Sequence, residues 1–104
     1  MKKINIPNSV TSIGYDAFYS CWALTSLELP SGLSKLESSA VSFTAIKELT
    51  VPHGVKVVDS YLAAYNDNLT TVTLEEGVEE IWHRAFWRCE KLNNITIPRS
   101  VKKI

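Results

Sequence analysis

The residues of this sequence best equipped for chemistry are two histidines, His53 and His83, two cysteines, Cys21 and Cys89, and an acidic run, Glu75, Glu76, Glu79 and Glu80. A covalent nucleophile needs a base beside it, and a zinc site needs Cys or His in closely spaced pairs. The sequence offers neither pattern. The cysteines lack CxxC spacing, and no Gly-rich phosphate loop, HExxH or GxSxG occurs. No catalytic residue, metal site or cofactor is therefore expected. The glutamates look like a cation site along the chain, so their meaning depends on the elements that carry them.

Those elements repeat. Ile4-Asn5-Ile6-Pro7 recurs as Leu27-Glu28-Leu29-Pro30, Leu49-Thr50-Val51-Pro52, Val72-Thr73-Leu74-Glu75 and Ile95-Thr96-Ile97-Pro98, with starts 23, 22, 23 and 23 residues apart. Each start follows an apolar residue three positions earlier: Met1, Leu24, Ile46, Leu69 and Leu92. Six residues after each start stand Val10, Leu33, Val55, Val78 and Val101, and three further on Ile13, Leu36, Val58, Ile81 and Ile104. Apolar alternation marks a strand with one face inward, and the following proline removes a donor and ends the ladder. Gly14 then allows a turn, and Asp16 to Cys21 is long enough for about one helical turn with Ala17, Phe18 and Cys21 facing inward. One such unit cannot bury its own apolar face, whereas stacked units can.

The unit closely resembles the BspA-like leucine-rich repeats of bacterial cell-surface proteins, which read I-x-I-P-x-S-V-x-x-I-G-x-x-A-F-x-x-C-x-x-L. Residues Ile4 to Leu24 follow it nearly letter for letter, and Ala85-Phe86-Trp87-Arg88-Cys89 answers Ala17-Phe18-Tyr19-Ser20-Cys21. The second copy lacks the cysteine and is one residue short between Ser42 and Ala45; the third has Leu62-Ala63 for Ala-Phe and Asn66 for Cys; the fourth has Trp82 for Gly. The expected fold is an α/β-type repeat: a right-handed solenoid over residues 1–104, with a partial last copy. Five parallel strands form its concave side, and short turns or single-turn helices its convex side. The resemblance implies surface exposure and protein binding or adhesion, and names no ligand.

Across the stack the acidic run changes character. His53, Glu76 and Arg99 fall in one column, Lys56, Glu79 and Lys102 in another, and Glu80 beside Lys103. At about 4.8 Å per coil each glutamate has a basic neighbour within reach, so lateral ion pairs are the favoured reading. The outward concave columns are Lys3, Ser26, Glu48, Thr71, Asn94 and Asn5, Glu28, Thr50, Thr73, Thr96. Ser26, Glu28, Glu48, Thr50, Thr71, Thr73, Asn94 and Thr96 form the first candidate contact surface, although Thr ladders also suit β-structure for its own sake. Tyr15, Tyr19, Trp22, Trp82 and Trp87 sit in the convex segments, where they shield turns or, as an alternative contact surface, stack on a ligand.

Eleven basic residues balance eleven acidic ones, which is not the footprint of a nucleic-acid binder. No apolar run approaches the roughly 20 residues of a membrane span, and Met1-Lys2-Lys3 opens no signal peptide. The expected function is a non-catalytic protein-binding or adhesion module of a bacterial surface or secreted protein, with an architectural spacer as the alternative. Its partner is a protein or host-surface ligand. Three structural expectations follow. Cys21 and Cys89, three coils apart, stay reduced in the core. Phe43 swings inward to fill the space left by Val41, which stands where the first and fourth copies carry Phe. The terminal coils expose apolar edges, Ile4, Ile6, Val10, Ile13 and Phe18 at one end and Ile95, Ile97, Val101 and Ile104 at the other, and invite end-to-end association.

Overall fold

The computed structural model describes residues 3, 4 and 6–103; the expectations placed on Met1, Asn5, Ile104 and the Lys3 side chain lie outside the described residues. The strands are β1 (Lys3–Ile4), β2 (Ser12–Ile13), β3 (Ser26–Leu27), β4 (Lys35–Leu36), β5 (Glu48–Val51), β6 (Val57–Val58), β7 (Thr71–Leu74), β8 (Glu80–Ile81) and β9 (Asn94–Thr96). All pairings are parallel and join strands one coil apart. The odd-numbered strands form the concave row and the even-numbered ones a second row across the core. Leu49 and Val51 of β5 are buried between exposed Glu48 and Thr50, the alternation that the apolar pattern requires. Corners follow the prolines: Val10, Leu33, Val55 and Val101 N–H groups donate to Pro7, Pro30, Pro52 and Pro98 carbonyls. Glu75, which replaces proline, keeps the corner by accepting from Val78 N–H at 3.3 Å, and its own N–H extends the ladder to Val51 O at 3.1 Å. The core is a set of apolar columns, among them Leu33, Val55 and Val78, and Leu36, Val58 and Ile81.

The expected five-stranded sheet is interrupted. Strand β1 pairs with β3, and β5 with β7 and β9, but among the described residues no pairing joins β3 to β5, nor β4 to β6 across the core. The missing residue of the second copy is the physical reason. In the other copies the leucine amide before the strand closes a turn: Leu24 on Cys21 O, Leu69 on Asn66 O and Leu92 on Cys89 O. In the short copy Ala45 N–H reaches back to Leu24 O at 2.8 Å, and Ile46 N–H turns to Thr44 Oγ1 at 3.3 Å. The lead-in to β5 is thereby drawn short, and β5 does not come alongside β3.

The convex side carries no helix among the described residues. Asp16, Ser20, Ser39, Phe43, Tyr61, Tyr65, Arg84 and Arg88 all have positive φ near 60°, two per coil, which no helical turn tolerates. These turns therefore do not depend on Gly14, which has no positive φ. Alternate amides close local turns, as Tyr19 on Asp16 O, while the others cross to the next coil, as Phe18 on Ala40 O, Phe43 on Ala64 O and Tyr65 on Trp87 O. This second ladder runs unbroken through the short copy.

Phe43 does not turn inward. It occupies the same left-handed turn position as Ser20, Tyr65 and Arg88 and is half-buried on the convex surface. Val41 and Leu62, both fully buried, take up the interior volume instead. At the ends, Ile95 and Ile97 are exposed, Ile4, Ile6, Val10, Phe18 and Val101 are half-buried, and Ile13, contrary to expectation, is buried under Leu36 of the paired strand.

Candidate functional site

Strands β5, β7 and β9 assemble six of the eight concave candidates. Glu48, Thr71 and Asn94 stand level in one outward column, and Thr50, Thr73 and Thr96 in the next. Their inward neighbours Leu49, Val51, Val72 and Leu74 are buried, so the strand alternation forces the polar set outward. Ser26 and Glu28 are exposed on the far side of the interruption and do not join these columns. Between them lies a cleft of about 530 Å³, lined by residues 25–29 on one wall and by Lys47, Glu48 and Thr50 on the other. Sequence reasoning recorded the deletion but not this consequence.

The convex aromatics join into a belt. Phe43 stacks on Tyr65 with centroids 4.5 Å apart, and Tyr19 and Trp22 each approach Phe43 edge-on at 5.4 Å. Trp87 continues the belt by donating from Nε1 to the Tyr65 hydroxyl, while the Arg84 guanidinium lies 4.2 Å over its ring. Tyr65 and Arg84 were missed in the sequence and Phe43 was assigned to the interior, although Phe43 and Tyr65 hold the same position of successive units. Trp82 stands apart, 47% exposed, with Nε1 donating to Glu80 Oε1 at 2.7 Å beside Lys35, Lys56 and Asp59.

The glutamate columns are placed as expected, but their contacts differ. Glu76 Oε2 accepts from Arg99 N–H at 3.1 Å, and Glu75 rather than Glu76 meets His53, accepting from its N–H at 3.0 Å. The imidazole Nδ1 of His53 lies 3.7 Å from the same carboxylate oxygen. Lys56, Glu79 and Lys102 are tied through backbone amides and carbonyls, and Glu80 pairs with Lys103 as a backbone bridge. Among the described residues the expected Lys–Glu ion pairs of these columns do not form. Corner amides exposed by the turns take the Glu75 and Glu76 carboxylates at shorter range, and the Trp82 indole takes that of Glu80. No group of three His, Cys, Asp or Glu side chains gathers as metal ligands would among the described residues.

The cysteine position is a capping position. Cys89 Sγ donates to Ala63 O at 3.0 Å, and one coil earlier fully buried Asn66 donates from Nδ2 to Val41 O at 2.9 Å. Asn66 Oδ1 also accepts from Thr44 N–H and Thr44 Oγ1, at 2.7 and 3.1 Å. Both cysteines are free and half-buried rather than fully in the core. Burial pushes the Cys89 thiol above its ordinary pKa, opposed by a hydrogen bond from the Asn66 backbone and aided by the nearby Asp67 charge.

Residues 1–104 match the family described as BspA type Leucine rich repeat region (6 copies). The chain is similar to a leucine rich cell surface protein from Faecalibacterium prausnitzii A2-165, with 28% identity and a TM-score of 0.94 over 100% of this chain and 28% of that one. It is also similar to a leucine-rich repeat protein from Bacteroides ovatus, with 27% identity and a TM-score of 0.74 over 97% of this chain and 32% of that one. The chain thus spans about a third of each solved relative. No curated protein matches it.

Proposed function

This chain belongs to the BspA-type leucine-rich-repeat family, and on that premise we propose that it is a non-catalytic protein-binding or adhesion module displayed at a bacterial surface. The observation that carries this reading is the β5, β7 and β9 face, where a level Thr ladder and a Glu, Thr, Asn column present polar groups over a closed apolar core. Such a face offers hydrogen bonds without stored reactivity, which suits recognition rather than turnover. The relative described as a cell surface protein supports the location. The ligand is a protein or a host-surface molecule, and the convex belt of Tyr19, Trp22 and Trp87 is the alternative contact surface.

The test is capture of surface-protein partners by the immobilised chain, with a Thr71→Lys, Thr73→Lys, Asn94→Lys, Thr96→Lys variant and a Tyr19→Ala, Trp22→Ala variant as comparators. Loss of capture with the first alone supports the concave reading, and loss with the second alone moves the site to the belt. A second reading, an architectural spacer, rests on the chain spanning only about a third of its solved relatives. Capture of nothing favours the spacer, and undiminished capture by both variants places binding on neither surface.

A further inference from the structure

The cleft between β3 and β5 has the chemistry of a missing β-strand. In the parallel ladder of β5 and β7, Lys47 and Val51 carbonyls accept from Thr71 and Glu75. A residue in a parallel ladder directs its N–H and C=O to the same side. Glu48 and Thr50 therefore direct theirs away from β7, toward β3. By repeat equivalence with Leu49 and Val51, Leu27 and Leu29 direct theirs toward β5. Among the described residues no ladder bond spans the two strands, so two facing edges of one sheet border a single cleft of about 530 Å³. That volume lies in the usual range of ligand sites, about 300 to 1,000 Å³.

The walls specify more than backbone. Inward-facing Leu27 and Leu29 offer apolar surface at the floor, and outward-facing Glu28 and Glu48 place one carboxylate on each wall, against a single cation, Lys47. Resting on the binding-module reading, we infer that this cleft accepts an extended peptide as an intercalated β-strand, with small β-branched side chains inward and basic side chains outward between Glu28 and Glu48. Main-chain hydrogen bonds to both walls supply the affinity, and the alternating side chains supply the selection. The ladder of convex amides, the Phe43–Tyr65 stack and the Ala45–Leu24 bond at the strand entrance keep the two halves joined while the concave side is open beyond it.

The test uses the full chain, 15N-labelled, titrated with acetyl-Lys-Val-Lys-Val-amide. The expected result is a saturable shift of the Leu27, Leu29, Glu48 and Thr50 amide signals. The same peptide N-methylated at both valines, which keeps its charge but loses donors, and its Lys→Glu counterpart should each bind about tenfold more weakly or worse. A chain with one alanine inserted after Thr44, restoring the full unit, should fold, close the gap and lose the response. Equal binding of the N-methylated peptide, shifts confined to other surfaces, or no shift at all overturns the inference. Thr71, Thr73, Asn94 and Thr96 lie outside the cleft, so the capture test of the wider reading can succeed while these amides stay silent, and the reverse; the two failures are separable.

Discussion

Coils joined through β5 and β7 and coils on either side of the β3–β5 gap are built from the same repeat, yet one junction is laced on every side and the other only on its convex side and at the single Ala45–Leu24 bond that leads into the strands. The difference is one residue, lost after Thr44, since Phe43 still holds the left-handed turn position of Ser20, Tyr65 and Arg88. It shows that the convex turn ladder, with its paired left-handed residues, is sufficient to hold successive coils in register, and that the concave sheet is an addition the fold can locally forgo. The buried core stays continuous across the gap, because Val41, Leu62 and Asn66 close it from the convex side.

The largest effect that breaks this comparison is expected at Asn66. Asn66→Ala strips partners from the buried Thr44 N–H and Val41 carbonyl at the gapped junction, and should cost about 3 kcal/mol by urea unfolding, at about 1 to 3 kcal/mol per orphaned group. The equivalent Cys89→Ala removes one weak donor from the regular junction and should cost clearly less. A Cys89→Ala loss equal to that of Asn66→Ala would mean the two junctions are held alike.

The corner glycines sharpen the contrast. A Cβ on Gly77 would sit 2.3 Å from His53 O at φ +119°, and one on Gly54 2.5 Å from Leu33 O. Gly77→Ala should cost about 3 kcal/mol, combining backbone strain with a clash between laced coils. Gly54→Ala should cost about 1 to 2 kcal/mol, because the open junction can widen, and Gly32→Ala, 3.5 Å from its nearest neighbour, almost nothing. Thermal unfolding of the three variants ranks them; Gly54→Ala as costly as Gly77→Ala would show the gap to be rigid.

Phe43→Ala removes surface stacking, so about 1 to 2 kcal/mol is expected rather than the larger loss of a core phenylalanine. The smallest effect is on pH dependence. Because burial raises the Cys89 pKa in the folded chain, its contribution is fully present below the unfolded thiol's pKa of about 8.5 and is lost as pH rises through the folded value. Stability measured from pH 8 to 10.5 should fall less steeply in Cys89→Ala.

The repeat was legible because apolar spacing fixes which residues share a column: Thr50, Thr73 and Thr96 are level as their 23-residue offsets demand. What escaped was set by backbone conformation. Asp16 to Cys21 has the length of a helical turn, but Asp16 and Ser20 adopt positive φ, a choice that neighbouring coils impose through their carbonyls. The carboxylates Glu75 and Glu76 went to corner amides that have no sequence signature, and the deletion was visible without the direction in which the chain would take up the slack.

Residue-resolved amide exchange in the native chain and in the alanine-insertion variant reads directly whether the one-residue deletion opens the concave sheet between β3 and β5. Fast exchange is expected at Glu48 and Thr50 and slow exchange at Thr73 in the native chain, with Glu48 and Thr50 becoming as protected as Thr73 after the insertion. Glu48 and Thr50 amides already as slow as Thr73 in the native chain would contradict it.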